Sequence, residues 1–133
     1  MENGECRASR AIIADDEILK AMDIKKALAF NSIFEVKIVS SQDRLWEEIY
    51  RSSQEGEQID LIVSDMQYPL IKGGEPDEES GLKLIARLKE EGIKIPVIIC
   101  SGINYTDIPD AFGCVWYNSL NDLETAFQKA LGK

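Results

Sequence analysis

The stretch "LIVSDMQYP", residues 61–69, sets four apolar or small residues directly before an aspartate. With "ID" ahead of it, the run is short, continuous and apolar, as expected of a strand covered on both faces. A carboxylate is costly to bury. Asp65 is therefore either a plain turn residue at the strand's end, or it is held there because something reacts with it. The rest of the chain decides between the two.

Four more strand signals surround it. "RAIIA", residues 10–14, is an apolar run ending at Asp15 and Asp16, and "FEVKIVS" alternates from Phe34 to Val39. "KIPVIICS", 94–101, and the short "CVWY", 114–117, follow. Helical spacing fills the intervals. In "DEILKAMDIKKALAF", Ile18, Leu19, Met22 and Leu28 are the expected inward face, with Asp16 and Glu17 suited to the helix N-terminus. "SQDRLWEEIYRSS" has Ser41 as cap and Leu45, Trp46 and Ile49 inward. "SGLKLIARLKEEG" presents Leu82, Leu84, Ile85 and Leu88 and stops at Gly92. "NYTDIPDAF" is broken by Pro109, so any helix there is brief. "LNDLETAFQKAL" turns Leu120, Leu123, Phe127 and Leu131 inward.

Five β–α units predict an α/β fold with a parallel sheet and helices on both faces. Right-handed crossovers narrow this to a doubly wound three-layer sandwich. The expected architecture is flavodoxin-like: five parallel strands in order 2-1-3-4-5, with five helices. Residues 1–133 form one domain, with its core at about 10–131. The one long irregular stretch, "YPLIKGGEPDEES" at 68–80, is expected to be an exposed inserted loop.

Composition excludes several functions. The net charge of −9 argues against direct nucleic-acid binding, which needs clustered Lys and Arg. No apolar run is long enough for a bilayer, and "MENGECRASR" lacks a secretory segment, so the expected address is cytoplasmic, with no membrane contact. Histidine is absent, which removes Ser-His and Cys-His nucleophiles and His-based metal sites. Cys6, Cys100 and Cys114 give no disulfide or zinc pattern, and the last two read as small core residues.

In a doubly wound sheet, ligands sit outside the carboxyl ends of the strands. Asp15 and Asp16 follow the first strand, Asp65 the third and Ser101 the fourth. In the expected order these strands are neighbours, so the acids converge. Carboxylates held together repel one another, and a divalent cation relieves that conflict. Oxygen donors suit Mg2+, which keeps waters and bridges to phosphate.

"IIADDE", "LIVSDMQYP" and "VIICSG" at these three strand ends resemble the receiver domain of two-component response regulators. The resemblance spans nearly the whole chain. It implies that Asp65 is the phosphoacceptor, and that Asp15, Asp16, Asp65 and the backbone carbonyl of Gln67 hold Mg2+. It makes Ser101 the switch hydroxyl. The phosphodonor is then a histidine kinase or phosphotransfer protein, and the output goes to a downstream protein partner from a stand-alone receiver. Such a domain is a phosphoprotein, not an enzyme, beyond self-phosphorylation and dephosphorylation.

The match departs in two places. The family carries a lysine at the end of the fifth strand, and no Lys occurs from Cys114 to Gln128. Asn118 is the expected occupant, or Ser119 if the alignment shifts by one. Lys72 is a substitute by reach alone. The second departure is the 68–80 stretch, which puts four acids near a site for an anionic group and reads as a solvated insertion or a partner-specific element. Trp116 and Tyr117 lie near the family's aromatic switch position, or are ordinary sheet-packing residues.

The missing lysine supports one alternative: a degenerate receiver that binds proteins independently of phosphorylation. A phosphohydrolase acting through an aspartyl phosphate is disfavoured by Gln67, where such enzymes place an acid. A flavin carrier is disfavoured by the absence of a phosphate-cradling loop after the first strand.

Overall fold

The apolar runs become strands, and their alternation sorts residues between two cores. The computed structural model describes residues 10–132, so Cys6 and the N-terminal stretch lie outside the described residues. Strands β1 (Arg10–Ala14), β2 (Glu35–Val39), β3 (Leu61–Ser64), β6 (Val97–Ser101) and β7 (Gly113–Trp116) form a parallel sheet in the order β2-β1-β3-β6-β7. This is the expected 2-1-3-4-5 order, with β6 and β7 as its fourth and fifth strands. Two two-residue strands, β4 (Tyr68–Pro69) and β5 (Pro76–Asp77), make a separate antiparallel pair.

Successive strand residues point to opposite faces. Ile12, Ile62 and Ile99 join the core under α2 (Gln42–Gln54) and α3 (Ser80–Glu90). Ile13, Val63, Ile98 and Cys100 join the one under α1 (Ile18–Phe30) and α4 (Leu123–Ala130), where Phe127 is fully buried. β3 and β6 are buried throughout, as strands covered on both faces must be. Cys100 is among the core residues, and burial pushes its thiol up to about 12.

The described residues contain four α-helices, not five. No helix forms between β6 and β7, because Pro109 has no N–H to donate and Asp110 adopts a positive φ of 67°. Ile108, Tyr105 and Ala111 cover that part of the sheet instead.

The face of α1 also differs from expectation. Ile18 and Leu19 are 64% and 79% exposed, Met22 is exposed too, and Lys20 is 4% exposed. The buried residues are Lys20, Ala21, Ile24, Ala27 and Leu28. Two apolar stripes compete in this helix, and the longer one, spaced by threes and fours, wins. Its alanines let α1 sit close against the sheet. Leu82 is half-exposed and Leu120 is 94% exposed, because α3's core face begins at Leu84 and α4 begins only at Leu123.

The 68–80 stretch is a tethered hairpin rather than a free loop. Tyr68 is fully buried, its hydroxyl 3.1 Å from Ser64 Oγ. Ser80 Oγ donates to the Tyr68 carbonyl. The Leu70 carbonyl accepts from the Asp43 N–H, and Asp43 accepts in turn from the Lys72 N–H.

Gly81 lets α3 approach the end of β3. A Cβ there would lie 2.9 Å from Ile99 Cδ1 and 3.0 Å from the Asp65 carbonyl oxygen. Gly81→Ala is expected to cost about 1–3 kcal/mol by overpacking, read as a lower urea midpoint; an unchanged midpoint would contradict this packing. At the sheet's other edge, hydrogen bonds from Arg51 (2.7 Å) and then Lys37 hold the Glu48 carboxyl down at about 2, below its ordinary value of 4.5. The folded pKa lies below the unfolded one, so this stabilisation is present above pH 4.5 and is lost as pH falls toward 2. Its basic partners are about half-exposed, which limits it to about 1 kcal/mol. Glu48→Gln is expected to lower stability at pH 7 and to converge with the wild type near pH 2.

Candidate functional site

The ladder places the acids. The Asp65 N–H continues the pairing of β3 and donates to the Ala14 carbonyl at 2.9 Å, while the Asp15 N–H donates to Val39. Both aspartates therefore stand one residue beyond neighbouring parallel strands. Asp15 and Asp65 are buried and Asp16 is exposed. The three offer one carboxylate oxygen each, all within 4.8 Å of one another.

Lys20 enters this cluster from the first turns of α1. Its Nζ lies 3.0 Å from Asp15 Oδ2 and 3.1 Å from Asp65 Oδ1. Burial pulls the lysine pKa down, but the two carboxylates outweigh it and hold the ammonium above its ordinary value. Asp15 shows the converse. Burial pushes it up to about 6, and Lys20 together with the Glu17 N–H offsets this only in part. One ammonium is shared between two acids, so each acid receives less compensation than the lysine does.

The two oxygens of Asp65 differ. Oδ1 accepts from the Met66 N–H at 2.7 Å and faces Lys20. Among the described residues nothing donates to Oδ2. A concavity of about 320 Å³ opens here, lined by Asp16, Lys20, Gln67, Pro76, Ser101 and Tyr117 among others. Gln67 is exposed on its rim, and the hairpin reaches it through Pro76. The Ser101 hydroxyl, at the end of β6, accepts from the Ile103 N–H at 3.1 Å and keeps its own proton free to donate.

The donor set fits a divalent cation. Three carboxylates against one ammonium leave two negative charges uncompensated, all on oxygen. Hard oxygen ligands with one exposed member suit Mg2+.

The residues after β7 are arranged otherwise than expected. Asn118 does not line the concavity. Its Oδ1 accepts from the Leu120 N–H, and its side chain faces the groove between α1 and α4 with Asp23 and Lys26. Tyr117 stands at the site instead, its ring 5.7 Å from Lys20 Nζ and its hydroxyl 2.5 Å from Asp23 Oδ2. Trp116 is partly exposed and donates from Nε1 to the Gly102 carbonyl at 3.0 Å, tying β7 to the loop after Ser101. Lys72 is exposed and does not line the concavity.

Lys20 is the site residue that sequence reasoning missed. The signal was present: stepping back by fours along the buried row from Leu28 through Ile24 reaches Lys20. The exposed aliphatics beside it, Ile18 and Leu19, drew the helix face the wrong way.

No protein-family model matches the sequence, and no curated protein matches it. Solved structures do match. The non-phosphorylated receiver domain of the stress response regulator RcsB from Escherichia coli superposes with a TM-score of 0.68 at 20% identity, over 95% of this chain and 92% of that one. A response regulator from Thermotoga maritima gives 0.65 at 20% identity, over 96% and 100%. A CheY-like receiver domain from Methylobacillus flagellatus gives 0.62 at 17%, over 93% and 99%. Against the Salmonella typhimurium RcsB response regulator the chain spans 60% of that protein's length. At these identities the match is one of fold, and the fold is that of receiver domains.

Removing the ammonium would leave two buried carboxylates face to face. Lys20→Ala is expected to destabilise the fold by about 3–5 kcal/mol. Adding Asp15→Asn to that variant is expected to recover part of the loss, measured as urea midpoints in a double-mutant cycle. Additive effects of the two substitutions would show that the pair does not interact.

Proposed function

We propose that this chain is a receiver in two-component signalling, with Asp65 as its phosphoacceptor. The observation that carries the reading is the state of Asp65. It is a buried carboxylate at the end of the central strand, with Oδ1 held by the Met66 N–H and Lys20 and Oδ2 without a donor beside an open concavity.

Oδ2 is the nucleophile. Its lone pair forms the O–P bond as the N–P bond of a phosphohistidine breaks. The bonding pair stays on the imidazole nitrogen, which takes up a proton from solvent. The donor is the phosphohistidine of a histidine kinase or phosphotransfer protein, which sets the reaction in the cytoplasm. Asp15, Asp16, Asp65 and the Gln67 carbonyl would hold Mg2+, which would supply charge neutralisation for an incoming phosphoryl group. Hydrolysis would return the carboxylate and inorganic phosphate, so the chain is a signalling domain with at most its own dephosphorylation as activity.

The Ser101 hydroxyl has a free proton to donate to the phosphoryl group. Doing so would draw the Ser101 loop toward the site, and through the Gly102 carbonyl would reach Trp116. The readout is then a protein partner at the β6–β7 edge. The alternative, a degenerate binding module, drew on the lack of a lysine after β7. A buried ammonium already at Asp65 weakens that ground. No helix among the described residues is long and apolar enough to cross a membrane.

Incubation with acetyl phosphate and Mg2+, followed by intact-mass spectrometry, tests the reading. The wild type is expected to gain one phosphoryl mass and Asp65→Asn none. An unchanged wild-type mass, or equal gain in Asp65→Asn, would overturn it.

A further inference from the structure

We propose that Lys20 is the cation that binds the phosphoryl group on Asp65, delivered from α1. The inference rests on Asp65 as phosphoacceptor and assigns the group that stabilises its product.

Three observations support it. First, Lys20 is the single base among the residues lining the concavity over Asp65. An acyl phosphate carries more negative charge than the carboxylate it replaces, and that charge lies further out toward the opening. A buried phosphoryl group needs a counter-charge there. Second, an ammonium has three N–H donors. Its ion pairs with Asp15 Oδ2 and Asp65 Oδ1, at 3.0 and 3.1 Å, can take up no more than two of these, which leaves one for an incoming oxygen. The four-carbon stem lets Nζ follow the charge from Oδ1 outward.

Third, the helix is turned to put this lysine inside. Lys is rarely buried. Here Lys20 is buried while its neighbours Ile18 and Leu19 stand in solvent. At the other side of the site, the segment after β7 offers the ring and hydroxyl of Tyr117 and no charge, with that hydroxyl engaged by Asp23. Apart from a bound Mg2+, the positive charge that side chains of this lining offer a phosphoryl group thus comes from one residue on one element.

The test uses beryllium trifluoride, a mimic of a carboxylate-bound phosphoryl group, at saturating Mg2+. Binding is followed by Trp fluorescence and by 19F NMR of the bound anion. The wild type is expected to bind and Asp65→Asn not to. Lys20→Met is expected to lose about ten- to hundredfold in affinity, the worth of one charged hydrogen bond, and to shift the bound 19F resonances. Lys20→Arg, which keeps the charge, is expected to retain most of the affinity, and Tyr117→Lys added to Lys20→Met is expected to restore part of it. Cooperative urea unfolding checks that each variant folds. Where Lys20→Met does not, Lys20→Gln keeps a donor for the two acids and is expected to show the same loss.

Wild-type affinity and unchanged 19F shifts in a folded Lys20→Met or Lys20→Gln would overturn this assignment while leaving Asp65 as acceptor. Failure of the wild type to bind the anion would overturn both readings.

Discussion

The contact on which the site depends is the ammonium of Lys20 between Asp15 and Asp65. Parallel pairing of β1 with β3 brings two aspartates side by side at the end of adjacent strands. Both are buried, and two buried carboxylates in contact repel strongly. The Lys20 ammonium stands between them and offsets that repulsion. The lysine that does so sets the rotation of α1, which in turn places Ile18 and Leu19 in solvent. The raised pKa of Asp15 shows that the compensation is incomplete. The site is left with surplus negative charge and an open side.

Around that pair the sheet arranges everything else by order alone. β6 lies beside β3 and ends at Ser101; β7 lies beside β6 and ends at Trp116. Short hydrogen bonds then link the two loops. The Tyr117 N–H donates to the Ser101 carbonyl, and the Trp116 indole donates to Gly102. A displacement of the Ser101 loop is therefore felt at an exposed aromatic on the edge strand. Trp116 packs on the sheet edge, and its indole is bonded to the loop that follows Ser101.

The structural matches share the backbone path at about one residue in five. The apolar strands and their order survive such divergence, because many sequences fill a core of the right volume. The position of a single charge is freer. Here the ammonium beside Asp65 comes from α1, whereas the resemblance placed a lysine after the fifth strand. A charge at one point in space can be delivered from more than one element, and here α1 passes within reach of it.

The sequence by itself determined the alternation of strands and helices, the parallel sheet with its order, and the convergence of Asp15, Asp16, Asp65 and Ser101. Those follow from period, from apolar runs and from strand ends, all of which are local. Lys20 was hidden because α1 holds two apolar stripes, and local periodicity does not weigh one against the other. The docking of the whole helix, with two acids drawing the lysine inward, decided between them. The 68–80 stretch was hidden for a related reason. Its acids and glycines read as a solvated loop, and residues 71–76 are exposed, but its ends are buried, with Ser80 bonded to the Tyr68 carbonyl across the hairpin. Local patterns specify elements; the rotation of a helix and the tether of a loop are set by contacts between them.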